Sequence, residues 1–365
     1  MIKILLRIGL VLLVCLCCAG GWLWHEANSF LKTPAAGSGK QIYFDVPKGA
    51  NLSRIAKDLD EAGLVSDAGK FALYARYMGA ASKLKAGRFA LNDSWTPVEI
   101  LEALVNGKPA LLRVTVPEGL TWWQTGRLLA DNGLVRFEDF RDIIHDPQFL
   151  RHYGIPFKNA EGFLMPDTYL VNMPQDAPAG EDAGEFYRNQ ARAVAGRMID
   201  NFWRKTAEVW PNAAGKSADN PVTLRPDAPN LKKWLTLASI VEKETAIDDE
   251  RPRVAGVYEN RLGKGMLLQA DPTVIYGLGP DFGGALRKSQ LEDRANPYNT
   301  YQNVGLPPGP ISSVGLAALR AAIHPEKHDF LYFVAKTDGG EHVFSKTLDA
   351  HNAAARAYHE QKKRK

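Results

Sequence analysis

The sequence is poor in cysteine, and its three cysteines (Cys15, Cys17 and Cys18) all lie in one apolar stretch near the N-terminus. The rest of the chain therefore offers neither a disulfide framework nor thiol chemistry. The eight histidines form no H-x-H pair, and none lies beside the acidic motifs described below. We therefore expect no metal site and no cofactor.

Two further absences narrow the function. No G-x-S-x-G segment occurs, which leaves a Ser-His-Asp hydrolase unsupported. Charge of neither sign dominates, because 45 Lys and Arg stand against 41 Asp and Glu, for a net charge of +4. Such a balance gives no reason to expect nucleic acid as a partner. The length of 365 residues is enough for two or three packed domains.

Hydrophobic residues are concentrated near the N-terminus, where Lys3 and Arg7 precede an uncharged run from Ile8 to Trp24. A helix of about 17 residues spans about 25 Å, the short end of what a bilayer core needs. We predict a transmembrane anchor at residues 8–24, with residues 1–7 in the cytoplasm and the rest of the chain outside it. A cleaved signal peptide is the alternative, but no small-x-small cleavage site follows the run.

After a linker, residues 25–40, the chain contains an internal repeat with a period of 70 residues. Val46-Pro47-Lys48-Gly49 recurs as Val116-Pro117-Glu118-Gly119, and Gly63-Leu64-Val65 recurs as Gly133-Leu134-Val135. Each copy predicts a strand, a turn and a helix that ends at a glycine. Because a β-helix-helix-β order is typical of glycan-binding LysM modules, we interpret residues 41–136 as a LysM-like region. A spacer without a ligand is the alternative.

The sequence from Leu231 onward predicts a helix with Asn230 as its N-cap. Its apolar residues recur at three- and four-residue spacing: Trp234, Leu237, Ala238, Val241 and Thr245. Glu244 lies at the edge of this stripe, whereas Glu242 lies on the other side of the helix. A carboxyl at an apolar edge loses hydration and its pKa rises, which makes Glu244 a candidate general acid. A solvated or ion-paired glutamate is the alternative.

Four motifs follow in order in the second half of the chain: E-K-E-T from Glu242, Q-x-D-P-T-x-x-Y-G from Gln269, Y-N-T-Y from Tyr298 and G-L-P-P-G-P-I from Gly305. An acidic and aromatic turn, E-G-F-x-x-P-D-T-Y from Glu161, precedes them. This combination resembles the YceG-like family of endolytic murein transglycosylases, and the resemblance extends over nearly the whole chain.

The resemblance implies cleavage of the β-1,4 bond between N-acetylmuramic acid and N-acetylglucosamine in nascent peptidoglycan strands. No water is used, a 1,6-anhydromuramoyl end is left, and strand elongation is terminated. The residue that matches the family's catalytic acid is Glu244. We expect an α+β fold with the N-terminal transmembrane helix, the LysM-like β/α lobe and, at residues 137–365, a catalytic domain like that of lysozyme and the lytic transglycosylases.

One catalytic carboxyl is enough for this reaction, whereas glycosidases that use water generally need two. Amide, aromatic and carboxyl side chains suit the hydroxyls and ring faces of a sugar. The candidate substrate-binding residues are Glu242, Gln269, Asp271, Thr273, Tyr276, Tyr298, Asn299, Tyr301, Glu161 and Asp167. Each of these residues has a purely structural role as its alternative.

Two other classes of function remain open. One is a muramidase-type hydrolase with Glu244 as acid and Asp271 as its partner, and the other is a non-catalytic, membrane-anchored scaffold that binds peptidoglycan. The expected partners are glycan strands, the inner membrane and peptidoglycan synthases. The expected location is the inner membrane, with a single span and a periplasmic or extracytoplasmic catalytic domain.

Overall fold

The structure is a computed structural model that describes residues 2–47, 49–172, 182–207, 209–210, 228–336 and 340–364. The chain forms two compact units, Met1–Arg113 with Leu170–Glu181, and Val114–Tyr169 with Asp182–Lys365. Helices dominate the described residues of both units, and the strands there pair two by two. The fold is α+β, as predicted.

The first unit contains the predicted β-helix-helix-β order. Its elements are helix α1 (Ile2–Lys32), strand β1 (Gln41–Val46), helices α2 (Leu52–Glu61) and α3 (Ala68–Tyr77), strand β2 (Gly87–Asn92) and helix α4 (Pro97–Asn106). β1 and β2 are antiparallel, with Phe44 opposite Phe89. Both rings lie in the core of the unit, because cross-strand partners point to the same face of a sheet.

The predicted transmembrane helix is wrong. Among the residues that the structure describes, no helix has an apolar stretch long enough to cross a bilayer. The apolar run from Ile8 to Trp24 is only part of α1, which continues through Glu26 to Lys32. About 17 apolar residues reach about 25 Å, less than the roughly 30 Å of a hydrocarbon core.

The repeat of 70 residues is a repeat of helix ends. Gly63 follows α2, and Gly133 follows the helix Trp122–Asp131. Both glycines have φ of +70°. In each copy the next leucine bonds back into the helix, Leu64 N to Leu59 O at 2.9 Å and Leu134 N to Leu129 O at 2.9 Å. Glycine adopts this left-handed conformation without steric cost. The first copy lies in the first unit, apart from Lys48, which is outside the described residues, and the second copy lies in the second unit. Glycan binding by the LysM-like region stays a prediction.

Further elements continue from residue 111. They are β3 (Leu111–Val116), α5 (Trp122–Asp131), α6 (Phe137–His145), α7 (Pro147–His152), β4 (Asp167–Asn172), α8 (Ala183–Thr206), α9 (Ala228–Glu244), α10 (Arg251–Gly263), α11 (Asp271–Leu278), α12 (Lys288–Leu291), α13 (Leu316–Ile323), β5 (Tyr332–Ala335), β6 (His342–Ser345) and α14 (Leu348–Arg364). β3 pairs with β4, and β5 with β6.

Helix α9 is the central element of the second unit and packs against α10, α11 and α13. The predicted stripe residues Leu237, Ala238 and Val241 are fully buried, but so are Leu235 and Ile240, which lie on other faces of the helix. This stretch of α9 is therefore covered by protein on more faces than the stripe predicts, although Lys232, Lys233 and Lys243 are exposed. Because α9 begins at Ala228, the predicted N-cap Asn230 lies inside the helix instead of at its start.

Candidate active site

The C-terminal end of α9 opens into a cavity of about 320 Å³ in the second unit. Glu244, the last residue of the helix, lies in its wall. The lining residues come from α9, α10, α11 and α14, from strand β5 and from the loops that precede α11 and α13: Glu244, Tyr258, Arg261, Leu268, Gln269, Asp271, Tyr301, Phe333 and His351. Four of the predicted site residues are therefore brought together, namely Glu244, Gln269, Asp271 and Tyr301.

The carboxyl of Glu244 is half-buried, and burial raises its pKa to about 7. A hydrogen bond from the hydroxyl of Tyr258 lowers the pKa, the negative charge of Asp271 raises it, and the positive charge of Arg261 lowers it. Desolvation has the largest effect because the charged form loses the most hydration. A carboxyl with a pKa near 7 can both give and take a proton at neutral pH.

Helix α10 supplies two of the residues around Glu244. Tyr258 and Arg261 are three residues apart, so both point from the same face of the helix. Arg261 is buried, and its guanidinium donates to the carbonyl oxygens of Leu331 at 2.7 Å and Leu268 at 2.8 Å. These bonds fix α10 to the strand β5 side of the cavity and to the loop ahead of α11.

Gln269 lies in that loop in a left-handed backbone conformation, with φ of +52°. Its N–H donates to the carbonyl of Thr300 at 3.1 Å, and the N–H of Ala270 donates to the hydroxyl of Thr300 at 3.0 Å. The side chain of Gln269 is left exposed at the cavity. Non-glycine residues seldom adopt this conformation, and they are concentrated at functional sites.

Asp271 and Tyr301 form a pair on the wall of the cavity. The hydroxyl of Tyr301 donates to Oδ1 of Asp271 at 2.6 Å. Asp271 is the first residue of α11, where the helix dipole favours a negative charge. The pair therefore presents a fixed carboxylate and a tyrosine ring to whatever enters the cavity.

Two of the predicted binding residues, Thr273 and Asn299, do not line the cavity, and a role for them in binding stays a prediction. Thr273 is buried, and its hydroxyl donates to the carbonyl of Ala270 at 2.7 Å. Asn299 is also buried, and its amide donates to the carbonyls of Gln290, Leu291 and Asp293, the shortest of these bonds being 2.7 Å. Both side chains hold the loops that carry Gln269 and Tyr301.

Glu242 points away from the cavity into an ion-pair network centred on the buried side chain of Arg251. Its side chain is 4% exposed and lies 2.9 Å from the guanidinium of Arg251, while its other oxygen accepts the N–H of Gly315 at 2.8 Å. Arg251 also contacts Asp248 at 2.6 Å and Glu118 at 3.8 Å. Burial raises the pKa of Glu242, and the bond from Gly315 and the charge of Arg251 oppose the rise. Glu242 therefore ties α9 to the start of α10 and to α13.

Glu161, Tyr276 and Tyr298 form a separate cluster. Tyr276 lies between Trp123 and Tyr298, at ring-centroid distances of 5.0 Å and 4.8 Å. Glu161 is fully buried and accepts the N–H of Trp122 at 2.8 Å. Burial raises the pKa of Glu161 to about 8, and the hydrogen bond from Trp122 opposes the rise. Its carboxyl is enclosed by protein, which removes it from contact with a large substrate.

Asp167, the remaining candidate, lies at the start of β4. Its Oδ2 accepts the amide of Asn201 at 2.8 Å and forms an ion pair with Lys205 at 2.9 Å. Both partners belong to α8, so Asp167 fastens β4 to that helix.

A model of the YceG-like family matches residues 44–357 of the chain. The chain belongs to the YceG-like family.

The chain is also similar to individual relatives over most of its length. It is 31% identical to a Bacillus subtilis (strain 168) protein named endolytic murein transglycosylase, over 93% of this chain and 90% of that protein. A protein of the same name from Streptococcus pneumoniae serotype 2 is 28% identical over 94% of this chain, which spans 63% of the pneumococcal protein. The crystal structure of a YceG-like protein from Listeria monocytogenes superposes with a TM-score of 0.53 at 31% identity, covering 87% of this chain and 100% of that one.

Within the described residues of this YceG-like chain, no group of three or more His, Cys, Asp or Glu side chains could hold a metal ion. His324 and His328 have the H-x-x-x-H spacing of a helical metal pair, but α13 ends at Ile323. The ring of His328 is bonded instead to the carbonyl of Arg253 at 2.9 Å and to the N–H of Phe330 at 3.0 Å.

Sequence reasoning missed four polar or aromatic residues that line the cavity beside Glu244. Tyr258 and Arg261 could have been found as a Y-x-x-R pair on the helix that follows Glu244. Phe333 and His351 come from the closing hairpin and from α14, and only the tertiary fold brings them to Glu244.

Proposed function

We propose that this YceG-like chain is an endolytic lytic transglycosylase of peptidoglycan. It cleaves the β-1,4 bond between N-acetylmuramic acid and N-acetylglucosamine within a strand and leaves a 1,6-anhydromuramoyl end. The observation that carries the proposal is one half-buried carboxyl, Glu244, with a pKa near 7 in the wall of an accessible cavity. The names of the Bacillus and Streptococcus relatives support the same class of activity.

The reaction needs one group that acts first as an acid and then as a base. Protonated Glu244 gives its proton to the glycosidic oxygen, the bond from that oxygen to C1 breaks, and positive charge develops at C1. The carboxylate of Glu244 then takes the proton of the C6 hydroxyl as O6 bonds to C1. The nucleophile belongs to the substrate, so the protein positions the sugar ring and excludes water.

The other lining residues have chemistry that suits this task. The exposed amide of Gln269 can bond sugar hydroxyls, and Tyr301 and Phe333 can pack against the face of a pyranose ring. The Asp271 carboxylate lies close enough to raise the pKa of Glu244, which keeps the acid protonated until the glycosidic oxygen arrives. Because its substrate lies outside the cytoplasm, we place the catalytic unit there, as a terminator of strands made by peptidoglycan synthases.

A hydrolase of the muramidase type is the second candidate, because Asp271 puts a second carboxylate on the wall of the same cavity. Its hydrogen bond from Tyr301 favours a fixed charge over a mobile base or nucleophile. The two candidates differ in their products, since hydrolysis adds water at C1 and transglycosylation does not.

The test is digestion of uncrosslinked glycan strands in H₂¹⁸O, with the products analysed by mass spectrometry. We expect anhydro ends without ¹⁸O and internal cleavage rather than release of disaccharides from one end. Asp271→Asn should keep turnover within about tenfold of wild type and lower the pKa of Glu244, because the charge that raises it is gone. Reducing ends that carry ¹⁸O, together with an inactive Asp271→Asn, would establish the hydrolase instead.

A further inference from the structure

The segment between α9 and α10 is bonded to the hairpin of β5 and β6 through one carboxyl. Glu250 lies directly ahead of α10, and its Oε1 accepts the backbone N–H of His342 at 2.9 Å. Its Oε2 lies 2.7 Å from Nδ1 of the same histidine, and Nδ1 is the donor because a carboxylate only accepts. The side chains of Glu250 and His342 are 11% and 10% exposed. Both oxygens of Glu250 therefore hold the start of β6 beside the segment that follows Glu244.

His342 extends this attachment to the cavity. Ala335 pairs with His342, and Phe333 pairs with Phe344, so the four side chains share one face of the hairpin. The imidazole ring meets the ring of Phe333 edge to face at a centroid distance of 5.4 Å. Phe333 lines the cavity. The position of His342 therefore bears directly on an aromatic side chain of the cavity wall.

The base of the hairpin is attached to α10. The amide of Asn260 donates to the carbonyl of Phe330 at 3.0 Å, and the guanidinium of Arg261 donates to the carbonyl of Leu331 at 2.7 Å. Phe333 thus lies between these bonds at the base and the bonds at the start of β6. Because a two-stranded hairpin is marginally stable by itself, its geometry depends on such attachments.

Two ion pairs of the same part of the chain are of a different kind. Lys336 contacts Glu341 at 2.6 Å, and Lys346 contacts Asp329 at 3.0 Å, and all four side chains are exposed. Each pair joins residues of the hairpin and its flanks to one another. Solvent and salt weaken such pairs, so the buried bonds of Glu250 are the firmer attachment.

We propose that Glu250 is a positioning residue for substrate binding. It holds the hairpin through His342 and keeps the ring of Phe333 in the cavity wall, where that ring packs against the face of a pyranose of the glycan strand. Glu250 does not line the cavity, so it acts on the substrate through Phe333. This inference rests on the proposed function, which supplies the glycan strand.

The experiment compares two variants of the full chain. Glu250→Ala removes both acceptors, so KM for uncrosslinked glycan strands should rise about tenfold while kcat stays within about threefold of wild type, because a binding contact is weakened. Glu250→Gln should keep KM within about threefold of wild type, since its Oε1 accepts the N–H of His342 and its Nε2 donates to Nδ1 of the other imidazole tautomer. A residue that serves stability alone would leave the KM of the folded protein unchanged.

Asp329→Ala is the matched control, because it removes an exposed carboxylate that pairs with Lys346 beside the same hairpin. Its KM should stay within about twofold of wild type. An equal rise of KM in Asp329→Ala and Glu250→Ala overturns the positioning role. A folded Glu250→Ala with the KM of wild type overturns it as well.

Phe333→Ala tests whether Glu250 acts through the ring. This variant should raise KM by itself, and adding Glu250→Ala should change KM by no more than about twofold, since the ring that Glu250 positions is gone. Rises of KM that multiply in the double variant reject the route through Phe333.

His342→Phe covers the case in which Glu250→Ala does not fold. It keeps a ring beside Phe333 but removes the donor to Oε2, so KM should rise about threefold, and an unchanged KM rejects the role. The Kd of glycan strands, measured for each variant in a Glu244→Gln background, gives the same comparison without turnover. Wild-type protein that binds strands but forms no anhydro ends rejects the proposed function alone, because the Kd of Glu250→Ala still decides the role of Glu250.

Discussion

Glu242 and Glu244 lie two residues apart at the end of one helix, and loss of hydration raises the pKa of both carboxyls. Their surroundings differ. Glu242 faces a guanidinium at 2.9 Å and a backbone N–H at 2.8 Å, which occupy both of its oxygens. Glu244 faces a tyrosine hydroxyl and an accessible cavity.

The difference shows that burial alone does not make a catalytic acid. A carboxyl whose oxygens are both engaged by fixed donors cannot move a proton to a substrate without losing those bonds. A carboxyl that faces an accessible cavity can move a proton to a bound molecule without that loss. On the proposed function, the same helix turn therefore serves structure on one face and chemistry on the other.

The largest expected effect is on turnover, and it should differ between substitutions of the two glutamates. Glu244→Gln keeps the shape of the side chain but cannot release or recover a proton, so turnover should fall by about 10²–10⁴-fold with glycan binding retained. Glu242→Gln keeps an acceptor for Gly315 but loses its charge beside Arg251, so it should cost stability, about 1–3 kcal/mol, and leave turnover within about tenfold of wild type. The measurements are kcat from anhydro-ended products and urea unfolding of each variant. Activity that survives in Glu244→Gln and disappears in Glu242→Gln would reverse the two roles.

The next effect concerns the guanidinium that holds Glu242. Arg251→Met leaves Glu242, Asp248 and Glu118 around an uncharged side chain, so the free energy of unfolding at pH 7 should fall by about 3–5 kcal/mol. Part of that loss should return as the pH is lowered, because burial raises the pKa of Glu242 and protonation removes its unpaired charge.

Arg253→Met is the matched control for Arg251→Met. The pair of Arg253 with Glu326 is separated by 3.2 Å, but the two side chains are 39% and 38% exposed. Such a pair contributes about 0–1 kcal/mol. Equal losses in the two variants would show that the buried network is no stronger than a surface ion pair.

The smallest effect uses Glu161, a buried carboxyl with no access to the cavity. In the folded protein its pKa is about 8, whereas the ordinary value is 4.5, so the folded state holds a proton that the unfolded state has lost. Stability is therefore lost as pH rises from about 4.5 through about 8. Glu161→Gln removes this contribution. Between pH 7 and pH 8 the free energy of unfolding of wild type should fall by about 1 kcal/mol more than that of the variant, since the contribution of Glu244 is common to both and cancels. Parallel urea titrations of the two proteins at those pH values provide the check, and equal pH slopes would contradict it.

The sequence predicted the element that organises the second unit but not what surrounds it. Apolar spacing identified α9 and placed Glu244 at an edge, because helical periodicity is a local property. The same reasoning placed Glu242 on the side of the helix away from the stripe but could not show that this side is covered as well, by Arg251 and the start of α13. A helical wheel shows which side chains share a face and cannot show how many faces are covered.

The sequence motifs also contain two kinds of residue, those that line the cavity and those that hold its loops in shape. Gln269 and Tyr301 line the cavity, whereas Thr273 and Asn299, in the same motifs, hold the loops in shape through buried hydrogen bonds. Spacing along the chain does not separate these roles, because both depend on the same loop. Tyr258 escaped notice for the opposite reason, since a tyrosine in a helix looks like an ordinary core residue until its hydroxyl is located.

Gln269 has a consequence for the evolution of the chain. At φ of +52° the Cβ atom of a non-glycine residue costs roughly 1–2 kcal/mol, and glycine, which has no Cβ, would remove that cost. Selection for stability alone therefore favours glycine at position 269, whereas selection for the chemistry of the cavity wall favours an amide. This chain carries the amide, and a thermostabilising design that replaced it with glycine would exchange an amide on the cavity wall for a less strained loop.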